Sequence, residues 1–368
     1  MRRAAPPLWL TRSGRFATVT RAQAVAILAA LALLVAASLT ALGAPIDTGG
    51  TDGPGGMGDL ALYEAIIDGV RAGGHYYQLA ADTMRAGSYP LRPFVTMRLP
   101  THAVVQAALP LAASLALLWL LAVGVAAAWW VRLADALARP LPRVAAMILL
   151  AGGMIAFVQV DLIAFHEIWA AQLVALSMAL RRPGRWLDAA ALALVAMLVR
   201  ETAALYVLVM GGLALLEGQR REALGWLATF LVFLAALAAH AHGVASVTGP
   251  LDPASPGWSG MLGFGFFVRA IVTSDVLRVL PLALAAPLVA LALFGWATWR
   301  DPLGLRAAAT FTGYAAAIAL FARADTFYWA LMPTPVFLVG LAFVPDGLRD
   351  LARGLLDRPR VRVHRITQ

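Results

Sequence analysis

The chain has 368 residues, 61% of them hydrophobic and only 13% charged, with a formal net charge of +9. Soluble proteins average roughly 45–50% apolar and about 25% charged residues, so a water-soluble globular domain is excluded. All 29 Lys/Arg positions are arginine and there is no cysteine, which rules out disulfides, thiolate metal sites and cysteine nucleophiles.

Apolar runs of about 18 residues or more recur along the chain, the signature of membrane-spanning helices. The positive charge therefore reads as arginines flanking the spans on the cytoplasmic side, and no nucleic-acid partner is expected. The predicted fold class is all-α, a polytopic transmembrane helical bundle. Residues 1–21, with Arg2, Arg3, Arg12, Arg15 and Arg21, form a cytoplasmic basic tail. The apolar run 22–44 is longer than the roughly 7–15 residues of a signal-peptide core, so it reads as a retained first span. A polar first extracytoplasmic loop covers 45–102, and a second span over 103–131 leads to Arg132, Arg139 and Arg143. Two long apolar stretches follow. The first, 144–180, carries Asp161, His166 and Glu167 near its middle, and the second, 187–216, carries Arg200 and Glu201; each reads as two short helices. Spans over 224–240, 276–298, 307–322 and 326–344 complete a single transmembrane domain over 22–344, with a second outer loop at 241–275. The tail 345–368 is again basic, through Arg349, Arg353, Arg358, Arg360, Arg362 and Arg365. The sum is about ten spans with both termini cytoplasmic, a multi-pass protein of the cell inner (plasma) membrane. Tryptophans such as Trp129, Trp130, Trp258, Trp296, Trp299 and Trp329 are expected mostly in interfacial belts.

The first loop is the most informative stretch. Leu62, Ile66, Ile67 and Val70 fall at helical spacing, which predicts a short amphipathic helix at the membrane surface. Gly73 and Gly74 end it, a second short helix is predicted over 77–85, and Pro90 and Pro93 impose an extended approach to the second span. Asp59, Glu64, Asp68, Asp82, His75, Arg71, Arg85, Arg92, Arg98 and His102 lie on this loop, and other outer apices add Asp161, His166, Glu167, Arg200, Glu201, Arg323 and Asp325. Ionisable groups at the edge of the apolar layer pair with one another or line a wet cavity, so a polar cavity open to the extracytoplasmic face is predicted. Blander roles stand beside this one. Glu64, Asp68 and Arg71 read as a solvated helix face, and Asp59 also suits a helix N-cap. Arg200 and Glu201 are adjacent and do not face each other on a helix, so each needs another partner, with Asp161 or Glu167 available to Arg200. Neither His166 with Glu167, nor His75, nor His240 with His242 has the convergent spacing of a metal site, so no metal is expected, a divalent ion near a phosphate being the minority form. No Gly-x-Ser-x-Gly motif occurs.

The same residues resemble the integral-membrane glycosyltransferases of the GT-C fold, which use lipid-linked sugars. The likeness lies in Asp59 soon after the first span, Tyr63 four residues later, Gly73 or Gly74, Tyr76-Tyr77, Tyr89-Pro90 and Arg98-Leu99-Pro100. The Arg200-Glu201 pair looks like one in the polyprenyl-phosphate-dependent mannosyltransferases of this class. The likeness covers the first loop well, 144–216 loosely, and the rest by topology. It implies transfer of a sugar from a polyprenyl-phosphate carrier to a glycan, lipid or protein acceptor at the extracytoplasmic face, with no cofactor. It further implies Asp59 as general base, Arg200 and Arg323 on the leaving phosphate with Arg92 and Arg98 behind them, and Tyr63, Asp161, His166, Glu167 and Glu201 in support. Many members carry a soluble domain after the last span, and here acceptor recognition is expected from loops 45–102 and 241–275. A transporter or flippase, and a lipid-glycan polymerase or ligase, are the competing readings.

Overall fold

The computed structural model describes residues 7–46 and 58–356. Arg2, Arg3, Arg358, Arg360, Arg362 and Arg365, which entered the reading of the two tails, lie outside those residues. The described chain is helical, with short 3-10 turns and no strand beyond isolated bridges. Helix α1 (Arg21–Ser38) starts on a reciprocal cap in which the Gln23 N–H donates to Thr20 Oγ1 and the Thr20 N–H to Gln23 Oε1. The first loop folds into α2 (Asp59–Arg71) and α3 (Tyr76–Ala86), followed by α4 (Thr101–Ala108) and α5 (Leu111–Ala134). Both long central stretches fold as helix pairs: α6 (Pro140–Gly153) with α7 (His166–Leu180), and α8 (Leu187–Val199) with α9 (Ala204–Leu216). Then come α10 (Arg220–Ala245), α11 (Gly263–Ser274), α12 (Leu282–Thr298) and α13 (Pro302–Phe321). The last segment is broken into a turn over Ala324–Leu331, α14 (Thr334–Phe337), a second turn over Leu338–Phe343, and α15 (Val344–Leu356).

Among the described residues four helices are long and apolar enough to cross a membrane, Arg21–Gly43, α5, α10 and α13, or five if the bent final pair is one span. α8 and α9 have 13 residues each. Each therefore reaches about 20 Å against about 30 Å of hydrocarbon. By length and composition four or five spans are shown, and the predicted ten require the shorter apolar helices to cross as well. The outward faces of the long helices are apolar: Leu120 is 66% and Val123 63% exposed on α5. A contiguous surface of that kind belongs against lipid.

Small residues set the closest helix crossings. A Cβ built on Gly295 would stand 1.8 Å from the Gly340 carbonyl oxygen, and one on Gly340 would stand 2.1 Å from that of Ala292. α12 therefore meets the turn over Leu338–Phe343 at backbone contact, as small residues allow in membrane bundles. Gly295→Ala is expected to destabilise the protein by about 1–3 kcal/mol, the usual range for overpacking. Thermal unfolding in detergent reads this, and an unchanged midpoint would show that the crossing yields to a methyl group.

Four expectations are corrected here. The N-terminal segment is not a free tail. The N–H groups of Leu8, Trp9 and Leu10 converge on the buried Asp346 carboxylate at 2.6, 2.7 and 2.8 Å. Arg15 donates to the Ala297 and Trp299 carbonyls at the end of α12 at 3.0 and 3.1 Å, where a cation meets unsatisfied carbonyls. The C-terminal tail likewise begins as α15, packed on α1 and α12. The 241–275 stretch is not all loop, since α10 runs to Ala245 and α11 buries Phe266, Phe267, Val268 and Ile271. Trp129, Trp296 and Trp299 lie in the core and not in a belt. Burial is tolerated because the Trp129 and Trp296 indole N–H groups donate to the Ala175 and Phe337 carbonyls at 3.0 and 2.9 Å.

Candidate functional site

At the end of the bundle opposite Arg15 and α15, helices α2 and α3 sit over α4 and enclose a second, smaller core. Leu62, Tyr63, Ile66, Ile67, Tyr76, Met84, Met97 and Ala103 are buried in it. The apolar face of α2 therefore meets protein and not the membrane surface, because Ala103, Met84 and Ala164 cover it. Beneath this cap lies a cavity of about 690 Å³. Segments distant in sequence line it, among them Asp59, Tyr63, Arg98, His102, His166, Arg200, Glu201, Thr202, Trp258, Arg323, Asp325, Tyr328 and Trp329.

Asp59 is the first residue of α2, with Gly58 at the N-cap and no side-chain cap bond, so the capping role is not the one it plays. Its carboxylate accepts a hydrogen bond from Tyr89 Oη at 2.9 Å and is in no ion pair among the described residues, although its charge reaches Arg323 across the cavity. One turn on, Tyr63 Oη accepts from Arg98 Nε at 3.2 Å, and burial pushes the Tyr63 hydroxyl up to about 12. Arg98 Nη1 also donates to Glu201 Oε1 at 3.2 Å. Glu201 is shared with Arg200, whose Nε donates to Glu167 Oε1 at 2.6 Å. A chain of alternating charge, Arg98–Glu201–Arg200–Glu167, thus runs into the cavity floor.

The Arg200–Glu201 contact contradicts the helical argument, for a local reason. α8 ends at Val199, and Arg200 is extended, with φ −145° and ψ 112°. The break turns neighbouring side chains toward one another, as a continuous helix would not. Arg200 and Glu167 are each only 1% exposed, so this pair is largely structural, whereas Arg98 is 14% exposed. Neither Arg98 Nη2 nor Arg200 Nη2 has a hydrogen-bond partner among the described residues.

On the opposite wall Arg323 pairs with Asp325 through Nε and Nη2 at 3.0 and 2.8 Å. Between the two walls passes a strap, residues 249–260, from which Ser255, Pro256 and Trp258 reach the cavity. Its backbone is tied to the first loop by Leu91 N–H to Pro253 O at 2.9 Å and Ser255 N–H to Arg92 O at 2.7 Å. Arg85 clamps it by donating to both oxygens of Asp252 at 2.8 and 2.9 Å. The Arg85 guanidinium and the Gly249 N–H hold the Asp252 carboxyl down at about 2, against an ordinary 3.8. A depressed value means the clamp is complete above 3.8 and is lost as pH falls toward 2. Since the chain has no cysteine, a single spin label at Leu251→Cys, 99% exposed, reports the strap. Its mobility is expected to stay flat from about pH 8 down to about pH 4, and Asp252→Asn is expected to raise it at neutral pH. Equal mobility in the two proteins would show that Arg85 does not hold the strap.

The structure therefore brings Asp59, Tyr63, Arg98, His166, Arg200, Glu201 and Arg323 to one cavity. It leaves three predicted residues out of the lining. Arg92 is exposed and spends its Nε on the Asp252 carbonyl at 2.8 Å, which makes it a strap contact. Asp161 is exposed in the turn Val160–Leu162, ahead of α7, and does not line the cavity. Glu167 lies behind the wall and acts through Arg200. Glu64 is likewise exposed, and the Asp68–Arg71 pair beside it is solvated, as predicted. Sequence reasoning named His102 only among the ionisable residues of the first loop, without a role of its own, and passed over Thr202, Tyr328 and the cavity role of Trp258 and Trp329. For His102 a signal existed, since Gln106 follows it by one helical turn in an otherwise apolar run. Among the described residues no three His, Asp or Glu side chains group as a metal site.

The fold and site define an all-helical protein with several helices apolar enough to cross a membrane and a polar, charge-lined cavity at one end. Compared with protein-family models, curated proteins and solved structures, the chain matches none.

Proposed function

We propose that the chain is a GT-C-type membrane glycosyltransferase, which moves a sugar from a polyprenyl-phosphate carrier to a glycan, lipid or protein acceptor. On this reading it crosses the inner (plasma) membrane about ten times, with the α6–α7 and α8–α9 pairs as short spans. Both termini are then cytoplasmic and the cavity is extracytoplasmic. One observation carries the reading: a carboxylate in no ion pair among the described residues, Asp59, shares a cavity with arginines, Arg98 and Arg200, that keep a terminal nitrogen unused.

The chemistry follows from those groups. The acceptor hydroxyl attacks the anomeric carbon as its proton passes to the Asp59 carboxylate, a transfer a positioned carboxylate performs. The bond from that carbon to the phosphate oxygen breaks, and polyprenyl phosphate leaves with one more negative charge. Arg98, with Arg323 on the far wall, meets that charge, since a guanidinium is a permanent, planar donor. Attack opposite the leaving phosphate inverts the sugar.

Mass spectrometry of lipids extracted from the protein, purified in mild detergent, tests the reading. Polyprenyl phosphate, free or glycosylated, is expected in the wild-type extract and is expected to be depleted in a folded Arg98→Gln variant. Bulk phospholipid alone would sink the donor site and turn attention to transport.

A further inference from the structure

The cavity holds a group of polar atoms that no other described residue satisfies. His102 on α4 and His166 at the start of α7 are 4% and 2% exposed, line the cavity, and lie ring to ring with centroids 4.5 Å apart. Gln106 fixes the state of the first ring. Its side-chain nitrogen donates one hydrogen to the Ile163 carbonyl at 2.6 Å and the other to His102 Nε2 at 2.7 Å. That nitrogen is therefore the acceptor, and the ring hydrogen sits on His102 Nδ1. This N–H has no acceptor among the described residues. His166 makes no hydrogen bond there either, and its Nδ1 is buried. Two further lining residues repeat the pattern: Glu201 Oε2 and Thr202 Oγ1 are buried without partners, although Glu201 Oε1 serves both arginines. Buried polar groups in native proteins are almost all paired, and of the buried side-chain atoms left without partners among the described residues these four gather on residues of one cavity, where a bound molecule can meet them.

Their chemistry selects the molecule. The set combines a fixed donor, a ring able to donate or accept, a hydroxyl and a carboxylate oxygen. A phosphate accepts only and is repelled by the carboxylate, whereas an ammonium leaves the His102 N–H unmet. Sugar hydroxyls both donate and accept, and the Tyr63 ring, 4.7 Å from that of His166, offers an apolar edge beside them. We infer that His102, His166, Glu201 and Thr202 form the subsite for the sugar ring of the lipid-linked donor, a hydroxyl-bearing pyranose. The inference rests on the donor reading above and adds to it which residues choose the sugar.

The experiment compares two probes of equal charge on the full chain in detergent. One is a panel of farnesyl-phosphate hexopyranosides, and the other is methyl farnesyl phosphate, the same diester without a sugar. Wild-type protein is expected to bind at least one hexoside about tenfold or more tightly than the methyl ester, the scale of a buried polar subsite being filled. Thr202→Val, nearly isosteric, and His166→Phe, which keeps a ring, are expected to shrink that ratio while the methyl-ester Kd and the melting temperature hold. A wild-type ratio of one, or a ratio that survives both variants, overturns the sugar subsite and leaves the lipid-phosphate reading standing. Binding of neither probe overturns the donor reading itself.

Discussion

Asp59→Asn is expected to lower sugar transfer by about 10²–10⁴-fold, the usual contribution of a positioned general base. The change keeps shape and keeps an oxygen for the Tyr89 hydroxyl, which stands 2.9 Å from the carboxylate. An amide oxygen, though, cannot take the proton of an attacking hydroxyl. Because Asp59 is in no ion pair among the described residues and caps no helix, and Arg323, which feels its charge, keeps Asp325 as partner, its loss leaves no charge stranded. The assay follows a radiolabelled hexose from polyprenyl phosphate into acceptors in membranes, beside the melting temperature of the purified variant. Wild-type transfer would remove Asp59 from the mechanism, and a collapse of melting would make it structural.

Arg200→Ala is expected to act on stability first. Removing one partner of a buried pair strands the other, at about 3–5 kcal/mol. Glu167, 1% exposed, is the group left behind, since Glu201 keeps Arg98. Arg200→Ala with Glu167→Ala is therefore expected to recover much of the loss, a non-additivity that a double-mutant cycle reads in detergent unfolding. A single variant that melts like wild type would return Arg200 to the phosphate alone. Arg98 is the cleaner probe of the leaving group, being 14% exposed with an unused Nη2.

The contrast between these two residues shows what a sequence conveys. A carboxylate opening a short amphipathic helix, a tyrosine one turn later, and glycines that stop the helix are local features, so α2, its end and Asp59 were legible. Gly73 does take φ +93°, a conformation that suits a residue without Cβ. The break at Arg200 was legible too, because ionisable residues do not persist in mid-span without cause. Its consequence was not, since adjacency forbids contact only while the helix continues.

By itself the sequence determined that this is an all-helical protein with segments long and apolar enough to cross a membrane, and of the site residues it proposed seven meet in one cavity, because hydropathy and helical period are properties of neighbours along a chain. Tertiary structure alone decided the partners: which carboxylate Arg200 takes, that Arg92 and Asp161 stay outside, that Leu8–Leu10 wrap Asp346, and that Thr202 and Tyr328 join the cavity. Those contacts join residues far apart in the chain, and which of several carboxylates an arginine meets depends on how helices cross, a quantity that packing of small residues such as Gly295 and Gly340 sets and no local pattern encodes.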